Sequence, residues 1–384
     1  MSTPEHYDCI VLGTGGVGSA ALAHLSRRGA HVLGLDRYPP GHDRGSSHGQ
    51  TRIIRQAYFE HPDYVPLAQR AYDLWDQLSD RTGKPLKHEV GLVQVGPAEG
   101  PIVSGVLASA RRHGLQIDQY SPREMSQLFP GLEADEQSLA LYERRAGFLL
   151  VEDCVRAHAE DARQSGAKLD VGHAVRAWRM DGGDVVVETD AQQYRAAALV
   201  IAAGAWAGEV LAGLNLDLTV RRKLLHWYAC DDPRYRVEQG FPCFFYEVPT
   251  GYFYGFPQLG DAGFNGSLKI ARHSGGEDIE DPLQLRRDPQ PGDAEDKRLV
   301  EEFLSGHLPG VSRRHMRQEA CMYTMSRDEH FIVDRHPDHP QVVFAAGLSG
   351  HGFKFTPALG QALAELVLDD RTDVPVGFLG LRRK

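Results

Sequence analysis

A chain of 384 residues with 42% hydrophobic and 24% charged residues has an ordinary globular composition and is long enough for two cores. Its formal net charge of −10 argues against nucleic acid and anionic membrane surfaces as partners, so an anionic substrate would need a basic pocket inside an acidic shell. Five cysteines with no Cys-x-x-Cys pair point to neither zinc nor a disulfide framework, and no signal peptide or membrane-spanning apolar run is visible, so a cytoplasmic protein without a metal is expected.

Tyr7 to Leu12 reads as an apolar strand, Ser19 to Arg28 as a helix stopped by Gly29, and His31 to Leu35 as a second strand closing on Asp36. Between the first strand and the helix lies Gly13-Thr14-Gly15-Gly16-Val17-Gly18. Gly13, Gly15 and Gly18 give the tight turn and close approach that a pyrophosphate needs at a helix N-terminus, and Asp36 is placed to accept from a ribose 2′-hydroxyl. Together these predict a bound dinucleotide, FAD or NAD in preference to NADP.

Pro39 to Arg55 is a long, mostly polar loop, a kind that is commonly functional. The pair Ile53-Ile54 between Arg52 and Arg55 predicts that its end is ordered and buried, and buried arginines need anions. A helix is expected over Asp63 to Arg81 with Gly83 as its stop, a strand over Glu89 to Gly96 and a helix over Pro101 to His113. Ser121-Pro122-Arg123-Glu124 is a capping box opening a short helix to Phe129.

Glu152 to Ser165 is again helical. Lys168 to Val175, Val185 to Thr189, Gln193 to Arg195 and Ala197 to Ala203 read as strands, the last ending at Gly204, where a nucleotide commonly lies. Aromatic residues crowd Thr219 to Tyr254. In Ser267 to His273, strand alternation puts Lys269 and His273 on one face. Residues 274–296 read as a polar surface loop.

Near the end, Ala320-Cys321-Met322-Tyr323-Thr324 is followed by a buried strand, Val342 to Ala346. Then comes the loop Gly347-Leu348-Ser349-Gly350-His351-Gly352-Phe353-Lys354, and a helix with Thr356 as N-cap and Pro357 in its first turn. The helix start, His351 and Lys354 collect positive potential suited to an anion such as a reduced flavin, with Cys321 as a candidate covalent tether.

With these motifs in view, the chain resembles the monomeric sarcosine oxidase and N-methyltryptophan oxidase family of FAD-dependent amine oxidases. The specific matches are Gly-Gln-Thr-Arg-Ile-Ile-Arg (49–55), Cys-Met-Tyr-Thr (321–324) and Gly-Leu-Ser-Gly-His-Gly-Phe-Lys-Phe (347–355). The resemblance implies FAD joined by a thioether to Cys321, with His48 near the flavin and Thr51 and Val175 among the residues that hold it. It implies that Arg52 and Lys354 hold the substrate carboxylate, that Tyr254, Tyr323 and His273 border the substrate, and that Lys269 lies on the flavin face where oxygen reacts. Four places depart from the family pattern: Ser46-Ser47-His48-Gly49, Arg55-Gln56-Ala57-Tyr58, a longer loop from Gly260 to Gly266, and Phe245, where sarcosine enzymes tend to have methionine.

The expectation is an α/β protein, α+β in its second domain. Its Rossmann-like FAD-binding domain (1–86, 150–218 and 328–384) is interleaved with a mixed-sheet substrate domain (87–149 and 219–327). Its function would be oxidation of N-methyl amino acids, sarcosine first, by a monomer using O2 and a small secondary amine that carries a carboxylate. N-methyltryptophan or cyclic secondary amino acids as substrates, a flavin dehydrogenase, and a non-catalytic nucleotide-binding module are the alternatives.

Overall fold

The computed structural model describes residues 5–260 and 266–383, so most of the long loop before Lys269 lies outside the described residues. The glycine motif sits at the centre of an eight-stranded sheet. His6–Leu12 runs parallel to Val32–Asp36 on one side and to Gln193–Ile201 on the other, and Val342–Ala346 extends the parallel set beyond Gln193–Ile201. Cys9, Ile10 and Val11 are fully buried, as a parallel strand covered on both faces requires. Helix Gly16–Arg27 packs against helices Val151–Gln164 and Thr356–Asp369, and together they build one core layer. The α/β expectation is met.

A nine-stranded mixed sheet forms the other large layer. Leu92–Pro97 joins Cys243–Val248 in parallel, and its remaining pairings are antiparallel. Its long members are Leu218–Ala229 and His315–Ser326, which place Cys321 opposite Lys223. Helices Pro101–His113 and Asp293–His307 lie against this sheet. A small third sheet pairs Thr51–Ile54 with Gly147–Leu150, which also pairs with Lys87–His88. The loop containing Arg52 is therefore ordered at its end, with Ile54 in the core.

Several boundaries differ from those expected, each for a local reason. Residues 168–175 do not form one strand. Lys168–Val171 ends at Gly172, whose φ of +98° turns the chain, and Val175 opens a hairpin closed by Gly182 and Gly183 at φ +62° and +96°. Gln193–Ile201 is one strand, not two. Its polar first half pairs with the hairpin strand Asp184–Thr189, while its apolar second half joins Val342–Ala346. Strands Ser138–Glu143 and Gly147–Leu150 carried no clear alternation and went unread.

The stretch 274–296 is not only loop. Glu277–Ile279 is an edge strand, and helix Asp293–His307 begins inside it. The acidic first turn that made it look like loop favours a helix N-terminus, and Asp293 accepts from the buried Arg222 at 2.5 and 3.1 Å. Thr356 is not the N-cap of the last helix. A short 3-10 turn, Phe353–Phe355, precedes it, Phe355 occupies the cap, and Thr356 is the first helical residue. The capping box at Ser121 forms as read. No helix among the described residues is long and apolar enough to cross a membrane.

Candidate active site

A cavity of about 550 Å³ runs from the glycine turn to the loop 347–353. Gly13, with φ +86°, lies so close to the neighbouring strand end that a Cβ would sit 2.5 Å from the Ala202 carbonyl oxygen. A Cβ at Gly18 would lie 1.7 Å from the Gly13 oxygen, so the third glycine lets the helix close onto the turn. Gly13, Gly15, Asp36, Val175, Gly204, Gly347, Gly350 and Gly352, all expected at the cofactor, line this cavity, and Gly18 lies behind its wall. The Asp36 carboxylate stands at the end of its strand and accepts from the backbone N–H of Thr14 at 2.7 Å and of Tyr38 at 2.9 Å. It is thereby aimed along the cavity end where a ribose would lie.

FAD fits this cavity on two observations. Two helices begin at its wall, one at Gly16 and one at Thr356. The buried hydroxyls of Thr324 and Thr356, both in the wall, have no hydrogen-bond partner among the described residues, as expected of groups that a polar ligand satisfies.

A second cavity, of about 50 Å³, adjoins the first, and Arg52, Tyr323, Gly350 and Phe353 line both. Its other walls include Tyr254, His273, Lys354, Phe245, Arg55, Glu60 and His351. The five residues expected at the substrate, Arg52, Lys354, Tyr254, Tyr323 and His273, thus meet in one small space. The sheet arranges this, because Phe245 is opposite Tyr254 in the register and Tyr254 is opposite Ala271, two residues before His273. His273 Nδ1 is 3.3 Å from the Tyr323 hydroxyl. Phe245 stacks on Tyr254 at 6.3 Å and meets His273 edge-on.

Burial sets the charge states here. Lys354 donates to the His351 carbonyl at 2.7 Å and to the Tyr58 hydroxyl at 3.1 Å. Burial, aided by Arg55 and resisted by Glu60, brings its pKa down to about 7. His273 is pushed down to about 3 and His351 to about 4, again mainly by burial, so both are neutral at pH 7. Arg55 donates to both oxygens of Glu60 at 2.7 Å, and its guanidinium lies over the Tyr58 and Phe59 rings. The cavity therefore presents Arg52 and a titrating Lys354 as cations that no carboxylate of the site neutralises directly.

Four expected residues, Cys321, His48, Thr51 and Lys269, line neither cavity and lie one layer back. Cys321 is fully buried, with Sγ against the Ser46 carbonyl at 3.6 Å and Arg52 Nη2 at 3.2 Å. Arg52 also donates to the carbonyls of Thr51 and Ser46, so it stands between the sulfur and both cavities. Burial would raise the thiol, yet Arg52 and His48 overcome it and bring Cys321 down to about 6. His48 is raised to about 9 against its own burial, chiefly by Cys321. Lys269 lines neither cavity. Its ammonium donates to Gly49 O at 2.5 Å, Thr51 O at 2.8 Å and Thr51 Oγ1 at 3.1 Å, which also places Thr51.

Sequence reasoning missed Glu60, Tyr58 and Glu152. Glu60 and Tyr58 follow Arg55 with no periodicity to mark them. Glu152 read only as a helix start, yet its carboxylate accepts from Gly49 N at 2.7 Å and Gln50 N at 3.1 Å and so holds the loop before Arg52. Among the described residues, no group of three or more His, Cys, Asp or Glu could hold a metal ion.

Residues 8–366 match the family described as FAD dependent oxidoreductase. The chain is 36% identical to monomeric sarcosine oxidase of Arthrobacter sp. (strain TE1826), covering 100% of this chain and 98% of that protein. It is 37% identical to N-methyl-L-tryptophan oxidase of Yersinia pestis (strain Pestoides F), covering 98% and 99%. Among solved structures, the open form of NikD, an amino acid oxidase of nikkomycin biosynthesis, superposes with a TM-score of 0.85 at 23% identity over 98% of this chain and 97% of that one. Glycine oxidase from Geobacillus kaustophilus does so with a TM-score of 0.80 at 22% identity over the whole of both chains. At these identities the two structures speak for the fold alone.

Proposed function

Since the chain belongs to the FAD dependent oxidoreductase family, in the group of monomeric sarcosine oxidases and N-methyl-L-tryptophan oxidases, we propose that it oxidises a small N-methyl amino acid. Sarcosine is the first candidate, converted with O2 and water to glycine, formaldehyde and hydrogen peroxide. The observation that carries this reading is the cavity of about 50 Å³, with Arg52 and Lys354 in a wall that is otherwise largely aromatic. Such a space suits a carboxylate and one or two carbons better than an indole.

Bound FAD supplies the two-electron acceptance from the substrate carbon and the delivery of those electrons to oxygen. Arg52 and Lys354 pair with the substrate carboxylate and so fix the N-methyl group at the boundary between the two cavities. Tyr254, Tyr323 and Phe245 exclude water around the reacting carbon. His273, neutral and set against the Tyr323 hydroxyl, borders the amine without adding a competing cation. Lys269 acts on the oxygen side, where a donor fixed in place favours the negative charge that develops on O2.

Gly13, Gly15 and Gly18 admit the pyrophosphate and Asp36 takes the ribose. His48, Thr51, Val175, Gly204, Gly347, Gly350, His351 and Gly352 complete the cofactor's surroundings, and Cys321 is its thioether tether. Support for the tether is the low thiol pKa of about 6 in a fully buried position. The reading includes a cytoplasmic monomer and the division into a discontinuous FAD-binding domain (1–86, 150–218, 328–384) and a substrate domain (87–149, 219–327). The separate membership of the two large sheets supports that division.

The test is peroxide release from a panel of amines. Sarcosine should turn over with the highest kcat/KM, and N-methyl-L-tryptophan should be slower by at least about a hundredfold, because its indole must enter a cavity of about 50 Å³ walled by Phe245 and Tyr254. Faster turnover of N-methyl-L-tryptophan or of L-pipecolate would overturn the choice of sarcosine.

A further inference from the structure

Lys223 lies in the middle of strand Leu218–Ala229, and neither cavity includes it. It is 2% exposed. Among the described residues its ammonium donates to two backbone carbonyls, Ser274 O at 2.7 Å and Gly275 O at 2.8 Å, and to no carboxylate. A buried ammonium that lacks a paired acid costs stability, and turn carbonyls can otherwise be left to water.

The turn that Lys223 holds directly follows His273. Gly276, with φ +115°, packs so closely that a Cβ would sit 2.9 Å from Lys223 Cδ and 2.7 Å from the Arg222 carbonyl oxygen. On the other side, the Ser274 hydroxyl accepts from Tyr252 N at 3.0 Å, and His273 N donates to Tyr252 O at 2.7 Å. The turn is therefore clamped between Lys223 and strand Gly251–Gly255. The same ammonium lies 5.6 Å from the centroid of the Tyr323 ring. His273 and Tyr323 are the pair whose Nδ1 and hydroxyl stand 3.3 Å apart in the small cavity. One cation thus reaches both members of that pair, the first through its backbone and the second through its ring.

We propose that Lys223 is a positioning residue for amine oxidation: it fixes His273 against Tyr323 and so shapes the wall that meets the substrate nitrogen. The inference rests on the reading that the small cavity takes the amine. The charge has a second effect. After burial, Lys223 is the largest influence that lowers the His273 pKa, which keeps the imidazole neutral beside the amine. Lys223 itself is brought down to about 8 by burial, against the pull of Asp296, so it is mostly charged at pH 7. Arg52 and Lys354, which take the carboxylate, are held by other groups. The amine wall can therefore be disturbed while the carboxylate site stays in place.

The test uses the full-length, flavin-loaded enzyme and follows anaerobic flavin reduction by sarcosine, air reoxidation, the dissociation constant of acetate, and Tm. A displacement of about 1 Å near the reacting atoms costs on the order of a hundredfold in rate. Lys223→Met should therefore slow flavin reduction by roughly ten- to a hundredfold, while reoxidation and acetate affinity change by less than about twofold. Lys223→Gln, which keeps an N–H for one carbonyl but no charge, should fall between that variant and wild type. Flavin reduction at the wild-type rate in Lys223→Met would overturn the proposal, even with a lower Tm, because the role is then merely structural. A parallel loss of acetate affinity, which marks a collapsed cavity, would overturn it too. Should Lys223→Met not fold, Lys223→Gln decides: a slowing of about three- to tenfold with acetate affinity kept supports the proposal, and a wild-type rate overturns it. Sarcosine that leaves wild type unreduced removes the choice of substrate, and the same comparison is then made with the amine that the panel selects.

Discussion

Lys354 shows how one side chain can serve as an anion site and also limit the pH range in which it works. Its ammonium is buried among Tyr58, His351 and the cations Arg52 and Arg55, with Glu60 as the single opposing carboxylate, and its pKa falls to about 7. A carboxylate ligand restores an opposite charge, so the pKa rises on binding and the complex takes up a proton above pH 7. The affinity of a small carboxylate inhibitor should therefore be flat below about pH 6.5 and fall by up to about tenfold per pH unit above about 7.5. Lys354→Met should bind weakly at low pH and lack this slope. A slope that survives in the variant would assign the titration to another group. The residues of this site were legible one at a time only where a motif framed them. Arg52, Tyr323 and Lys354 came from short specific strings, whereas Glu60 and Tyr58 lie in a turn with no pattern, and only the fold brings them to Lys354.

At the scale of elements, strand Ser267–Arg272 does two jobs at once. Its alternation was readable and puts Lys269 and His273 on one face, yet they end in different places. His273 lies past the strand end, in the wall of the small cavity, while Lys269 is drawn under the loop at residues 49–51. Burial and the nearby Arg52 push the Lys269 pKa well down, and its Nζ orders that loop through the hydrogen bonds it donates to Gly49 and Thr51. Lys269→Met should slow air reoxidation of pre-reduced enzyme by about a hundredfold to a thousandfold, with much less change in anaerobic reduction by substrate. Collapse of the reductive step with fast reoxidation would instead make Lys269 a substrate-side residue.

Elements with a punctuated start and stop, such as the first βαβ unit and the Ser121 capping box, were readable from sequence. Those set by tertiary pairing were not. Helix Asp293–His307 looked like loop because its first turn is acidic, and the Arg222 partner that buries Asp293 lies 71 residues earlier. The Thr356 cap was misplaced because the turn at Phe353–Phe355 intervenes, and that shift leaves the Thr356 hydroxyl facing the cavity.

For the whole molecule, the relevant fact is where the two large sheets meet. The parallel sheet delivers the glycine turn, Asp36 and Gly347; the mixed sheet delivers Tyr254, His273, Cys321 and Tyr323; and the small sheet inserts Arg52 between them. A long cavity and a small basic one then share four wall residues, which is the arrangement needed to hold a substrate carbon against a cofactor. The acidic net charge argued from the sequence against nucleic acid and anionic membranes as partners, but the size of the small cavity depends on how Phe245 and Tyr254 pack. The most direct measurement is a single experiment on the flavin colour of the purified protein. Sarcosine added without air should bleach the yellow absorbance, and admitting air should restore it with one hydrogen peroxide formed per sarcosine consumed. An absorbance that sarcosine leaves unchanged, or one that stays bleached in air, would contradict an oxidase of small N-methyl amino acids.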